Sequence, residues 1–258
     1  MKSFFSVLEY FLLKNFRSFK YYVVIVLLIC TLLLFLSISG TLENSANTYS
    51  NSMKNVNSGA PQLLEIVNEY FGDIRLFVPY VVSLFLIPLI SLIVSYNSFS
   101  KQISNGGFRY WATRVTRSKI YLARLFSELF MILFSVAISF FAIFIYLIIQ
   151  NKILIRSYAV ILGPFLLILF YGFAFTALFV FISSLSKNSH VALLFSLIAF
   201  ALMFVFLFIG VRYLSIFNYI GFQSFAHYSD VLLNILFLTI YSTIISVAGI
   251  FLFKRRDL

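Results

Sequence analysis

Six long apolar runs alternate with shorter polar segments along this chain. The runs cover, in order, about 22–40, 76–96, 125–149, 158–182, 191–211 and 231–253. Each has roughly the twenty residues that an α-helix needs to cross about 30 Å of hydrocarbon. A span in lipid must satisfy its own backbone hydrogen bonds, so the runs predict helices. The predicted fold class is all-α, a polytopic membrane protein with six transmembrane helices in one transmembrane domain, 1–258.

An amphipathic segment, about 3–20, precedes the first run. Its apolar face comprises Phe4, Val7, Leu8, Phe11 and Leu12. Its polar face comprises Ser6, Glu9, Lys14, Arg17 and Lys20. This pattern predicts an N-terminal helix that lies in the membrane interface. The alternative is a ragged extension of the first span.

Two further features interrupt the regular alternation. Pro88 lies inside the second run, where it removes a backbone hydrogen bond and predicts a kinked helix. The segment 212–230 mixes aromatic and polar residues and is typical neither of a span nor of a solvated loop. We interpret it as re-entrant or interfacial.

Composition agrees with this architecture. Apolar residues make up 62% of the 258 residues and charged residues only 10%, and the mean hydropathy is +1.03. The net charge of +11 is spread over short clusters between apolar runs, so membrane topology explains it better than nucleic-acid binding does. The single cysteine, Cys30, excludes an internal disulfide and a cysteine-based metal site.

The distribution of Lys and Arg predicts the orientation. With six spans, 14 of the 19 basic residues fall on the side that holds both termini, and five fall on the other side. Positive residues are enriched in cytoplasmic segments. The sequence therefore predicts a multi-pass protein of the cell (plasma) membrane with both termini in the cytoplasm.

The chain lacks the motifs of membrane enzymes and pumps. It contains no G-x-S-x-G, no H-E-x-x-H and no P-loop, so we expect neither catalysis nor a nucleotide or metal site of its own. One acidic residue, Glu128, falls inside a predicted span. It is either a polar site for a proton or substrate, or an i,i+4 ion-pair partner of Arg124.

The most basic segment lies between the second and third runs, at about 98–124. It holds six Lys and Arg with no Asp or Glu, and a Gly-Gly step at 106–107 precedes an aromatic stretch. The aromatic side chains are Phe108, Tyr110 and Trp111. This combination predicts a short amphipathic docking element. The alternative for Lys101 and Lys119 is that they only keep this segment on the cytoplasmic side. The alternative for Tyr110 and Trp111 is that they anchor the chain at the membrane interface.

The same segment resembles the coupling loop of type 2 ABC exporter permeases. The resemblance rests on Gly106 to Phe108 and on V-T-R-S-K-I-Y-L-A-R at 115–124, in which Thr116 and Arg117 match the family's Ser-Arg step. The chain departs from the family at Ser104 and Asn105, where an acidic residue is usual, and at Arg114, where proline is usual. Two further stretches resemble the family, SSLSKNSHVA at 183–192 and FKRRD at 253–257.

The resemblance implies a permease subunit that forms half of a translocation pathway. Its partners would be two ABC ATPase subunits, which would bind ATP and Mg, a second permease copy (identical or paralogous) and the bilayer, with no nucleic acid. The cargo would be hydrophobic or amphipathic, such as a peptide, an antibiotic or a lipid-like molecule. The docking residues implied are Gly106, Phe108, Arg109, Tyr110, Trp111, Arg114, Thr116, Arg117 and Arg124. The alternatives are a non-pumping membrane scaffold or immunity protein, and a secondary transporter that uses Glu128.

Overall fold

The computed structural model describes residues 4–18, 21–26, 28–34, 74–107, 113–149, 157–209, 214–220 and 228–255. Its α-helices are α1 (Phe4–Phe16), α2 (Tyr21–Leu34), α3 (Ile74–Ser95), α4 (Ser100–Ser104), α5 (Arg117–Ile149), α6 (Ser157–Leu185), α7 (Ser189–Ile209) and α8 (Tyr228–Arg255). A 3₁₀ helix, Ile216–Ile220, lies between α7 and α8. No strand occurs within the described ranges, which confirms the all-α fold class.

Five helical segments of the described chain are long and apolar enough to cross a membrane. They are Tyr80–Ser104, which includes most of α3 and all of α4, and the greater parts of α5, α6, α7 and α8. A sixth arises only if α1 and α2, which meet at a bend of 66°, count as one broken span. The transmembrane helical character is therefore confirmed, whereas six spans and an interfacial α1 stay predictions.

The largest correction concerns the predicted loop 98–124. Residues 100–104 form α4, and α5 begins at Arg117, eight residues before the predicted third span. The carbonyl of Thr116 accepts the backbone N–H groups of Lys119 (3.0 Å) and Ile120 (3.2 Å), which starts the helix. Hydropathy detects only the apolar part of a helix. Lys, Leu, Ala and Arg are good helix formers, so the helix extends beyond that part toward its N-terminus.

Helix α6 is the centre of the bundle. Of its membrane-spanning part, 61% is buried inside the chain, compared with 17% for α7 and 22% for α8. At Gly172 a Cβ atom would lie 3.3 Å from Ile87 of α3 and 3.5 Å from Ile132 of α5. The missing side chain therefore lets three helices meet closely, as small residues do in membrane bundles.

Pro88 in α3 leaves one backbone carbonyl of that helix without its usual donor, and a side chain of α6 donates a hydrogen bond to it. A proline has no N–H to donate to the carbonyl four residues earlier, which here belongs to Leu84. The hydroxyl of Tyr171 in α6 donates to that carbonyl at 2.8 Å, and the side chain of Tyr171 is fully buried. A neighbouring helix thus supplies the donor that the proline lacks, as apolar surroundings require.

We expect Tyr171→Phe to lower the free energy of unfolding by about 1–3 kcal/mol, because the carbonyl of Leu84 would lose this donor in a buried site. Denaturant unfolding of the purified chain in detergent measures the change. The control is Tyr22→Phe, which removes a hydroxyl from a side chain that is 53% exposed. Equal stability of the two variants would show that the carbonyl does not need Tyr171.

Part of the segment 212–230 folds back onto the bundle. The 3₁₀ helix contacts α6, α7 and α8, and Ile216 and Ile220 are buried. Tyr80 of α3 donates its hydroxyl to the carbonyl of Ile220 at 3.2 Å. The ring of Phe217 packs against four other rings: Tyr171, Phe175, Phe200 and Phe204. Residues 215–220 are thus packed against the core, whereas Leu214 is 52% exposed.

Candidate functional site

The start of the basic segment is fixed to the end of α6. Between α3 and α4 the chain turns over residues 96–99. The hydroxyl oxygen of Ser183, close to the last residue of α6, accepts the N–H groups of Phe99 (3.0 Å) and Ser100 (3.3 Å). Helix starts leave such N–H groups without partners inside the helix, and a serine oxygen satisfies them well. Ser183 therefore holds the first residues of α4 in place.

The end of α8 contacts the same region. The ring of Phe99 stacks on Tyr121 of α5, with centroids 5.4 Å apart, and meets the edge of Phe253 of α8 at 5.0 Å. Arg117 donates from Nη1 to the carbonyl of Lys254 at 3.0 Å. A cation at a helix C-terminus is favourable because the last carbonyls are unpaired and carry partial negative charge. The basic segment, the end of α6 and the end of α8 therefore form one contiguous surface.

The predicted docking residues other than Arg117 and Arg124 fall into three groups. Gly106 has φ of 67°, a left-handed conformation that residues with a side chain rarely adopt, although no atom of the described residues lies within 4 Å of its missing Cβ. Backbone conformation, not space, therefore explains this glycine. Phe108, Arg109, Tyr110 and Trp111 lie outside the described residues. Arg114 and Thr116 are exposed in the turn before α5.

Arg124 differs from the sequence expectation. It is 5% exposed, so its guanidinium lies inside the chain and not on the surface where a docking contact would form. Its Nη2 is 2.8 Å from Oε1 of Glu128, which confirms the i,i+4 ion pair. Glu128 is fully buried. Its second oxygen accepts a hydrogen bond from the hydroxyl of Tyr21 in α2.

Two further polar residues extend this buried network to α1. Asn15 accepts from Arg124 Nη1 at 3.4 Å through Oδ1, and donates from Nδ2 to the hydroxyl of Ser127 at 2.8 Å. The guanidinium of Arg124 also lies over the ring of Phe11, 5.1 Å from its centroid. The network therefore joins both helices of the bent pair α1–α2 to α5.

Sequence analysis did not find Asn15, Ser127 or Tyr21. The signal for Asn15 was its spacing, because it follows Val7 and Phe11 at steps of four on the buried face of α1. An asparagine on that face needs a partner inside the protein. No comparable pattern marks Ser127 or Tyr21.

The arrangement holds α1, α2 and α5 together. In the described part of the chain, no three His, Cys, Asp or Glu side chains come close enough to hold a metal ion. Both oxygens of Glu128 already have partners within the chain. This carboxylate is therefore occupied as a structural group.

Comparison with known proteins does not assign the chain to a family. No family model matches it, and no curated protein matches it. A functional assignment therefore depends on the geometry above and on the motifs of the basic segment.

Proposed function

We propose that the chain is the permease subunit of an ABC-type exporter and that residues 98–124 couple it to a separate ATPase. Two permease copies would form the pathway, and the ATPase subunits would bind ATP and Mg. The cargo would be hydrophobic or amphipathic. The chain would lie in the plasma membrane with both termini in the cytoplasm.

One observation carries this proposal: the basic segment contacts both of the other stretches that resemble the permease family. Ser183 of the second stretch bonds to the start of the basic segment. Arg117 of the basic segment bonds to Lys254 of the third stretch. These stretches are far apart in the sequence, so their contact is a property of the fold. It supports a common surface on which a partner could act.

A force applied to the basic segment would reach α6 through Ser183 and α8 through Arg117. Because α6 is the most buried helix of the described bundle, displacement at its end would be transmitted to the helices that pack on it. Gly106, with its left-handed backbone, follows the end of α4 and precedes the aromatic residues in the sequence.

Co-purification tests the docking assignment. We expect a P-loop ATPase, identified by mass spectrometry, to co-purify with the wild-type chain from host membranes, and the reconstituted complex to hydrolyse ATP. Trp111→Ala combined with Arg117→Glu should remove the ATPase, because the pair loses an aromatic anchor and reverses a charge. Lys54→Glu, a charge reversal in a loop predicted on the other side, is the matched control.

Two results would contradict the proposal. If the double variant keeps the ATPase at the wild-type level, residues 98–124 are not the docking element. If no ATPase accompanies the wild-type chain, a scaffold or immunity role replaces the exporter. Thermal unfolding of each variant must accompany the assay, because Arg117→Glu also removes the bond to the carbonyl of Lys254.

A further inference from the structure

A polar cavity of about 450 Å³ lies between α1, the turn that joins α3 to α4, and α5. Its cationic lining residues are Lys14, Lys101 and Arg124. Among the described residues that line it there is no Asp or Glu. Its volume falls in the range of about 300–1,000 Å³ that is usual for small-molecule sites.

The positive charge of this cavity is only partly compensated. Glu128 pairs with Arg124, which offsets one of the three cations. Within the described structure neither Lys14 nor Lys101 forms an ion pair. Partial burial lowers the pKa of Lys14, and the nearby charges of Arg124 and Lys101 lower it further. The cavity therefore disfavours additional positive charge and favours an anion.

Two residues of the lining, the buried Ser98 and the half-buried Gln102, add unsatisfied hydrogen-bonding groups. The hydroxyl of Ser98 and the Oε1 atom of Gln102 are buried and have no hydrogen-bond partner in the described structure. Ser98 is 0% exposed. Buried polar atoms nearly always have partners, so these two call for an explanation. Both residues line the cavity, so a bound ligand that they reach by a change of side-chain rotamer would supply the missing partners.

The outer side of α1 indicates the surroundings of the cavity. Phe5 and Leu13 are 75% and 51% exposed, beside the polar residues of the same helix. Exposed apolar groups next to lysines are typical of helices at the level of lipid headgroups. Anionic headgroups also concentrate near basic residues at this level.

We propose that the cavity binds a phosphate group that carries a hydroxyl, either the headgroup of an anionic phospholipid or free phosphate. Lys14 and Lys101 bind the phosphoryl oxygens, and Ser98 donates a hydrogen bond to them. Gln102 accepts from the hydroxyl of the ligand. Because Lys14 belongs to α1 and Lys101 to α4, the ligand would link the N-terminal helix to the basic segment.

The test measures lipid retention by the full chain. The wild-type chain is placed in nanodiscs of phosphatidylcholine with phosphatidylglycerol, and bound lipid is counted by native mass spectrometry after extraction. Lys14→Gln with Lys101→Gln should weaken phosphatidylglycerol binding about thirtyfold, since each basic residue contributes roughly fivefold to anionic-lipid binding. The matched control is Lys119→Gln with Lys187→Gln, which removes two exposed lysines outside the cavity.

A second arm separates lipid from free phosphate. Lipid-free chain in detergent is titrated with inorganic phosphate, and its melting temperature is followed. Stabilisation that requires Lys14 and Lys101 would support the site with free phosphate as its ligand. The proposal is overturned if the cavity and control variants lose phosphatidylglycerol equally, or if the cavity variant retains both anions at wild-type levels. The single lysine variants provide the same measurement if the double variant does not fold.

Discussion

Arg124→Leu should destabilise the chain by about 3–5 kcal/mol, the cost of leaving one member of a buried ion pair without its partner. Glu128 is fully buried and would keep only the hydroxyl of Tyr21. Asn15 would lose the guanidinium donor, and Phe11 would lose the cation above its ring. Denaturant unfolding in detergent measures the loss.

The controls for this variant show whether the loss comes from leaving the buried charge of Glu128 unpaired or from removing any cation of α5. Lys119→Leu removes an exposed cation from the same helix and should change stability by less than about 0.5 kcal/mol. Arg124→Leu with Glu128→Leu removes both charges and should recover most of the loss, because apolar pairs often replace buried ion pairs at little cost. If Arg124→Leu unfolds like Lys119→Leu, the network does not hold the helices.

The fold class was predictable because the hydropathy signal is averaged over a whole segment and does not depend on single residues. A run of about twenty apolar residues has few alternatives to a membrane helix, so each of the five candidate spans overlaps a predicted run, and the first predicted span stays a prediction. The ends were less predictable. Arg117 and Lys119 are too polar for an apolar window but are good helix formers, so α5 starts before its apolar part.

The candidate site was predictable only where a residue pattern is local. The i,i+4 spacing of Arg124 and Glu128 predicted their ion pair, and glycine at 106 predicted a break. The contacts of Ser183 with Phe99 and of Arg117 with Lys254 join residues that are distant in sequence. No periodicity encodes such contacts, because they depend on how whole helices pack.

The burial of Arg124 was also not predictable from the local sequence pattern. In sequence it belongs to a cluster of surface cations and matches a family position, so an exposed role was the natural expectation. The polar residues that surround it come from α1 and α2 as well as from α5. Only the packing of α1 onto α5 decides that this arginine is internal.

Gly249→Ala should lower stability by about 3 kcal/mol, the upper end of the usual cost of overpacking. A methyl group at this position of α8 would overlap the hydroxyl of Tyr121 and lie 2.6 Å from the ring carbon that bears it. The ring cannot move aside, because it is buried against Phe99 and Phe253. Helices α5 and α8 would therefore have to separate. Thermal unfolding, followed by size-exclusion chromatography, measures the effect.

Three companion variants identify the cause. Gly163→Ala adds the same methyl group to α6 at a position where no described atom other than those of its chain neighbours lies within 4 Å, so it should cost much less than Gly249→Ala. Tyr121→Phe removes a buried hydroxyl that has no partner in the described structure, so its cost should be small. Tyr121→Leu removes the whole ring and should make Gly249→Ala much less costly, a coupling that a double-mutant cycle measures. Additive effects of these two changes would mean that contact with Tyr121 is not what requires glycine at 249.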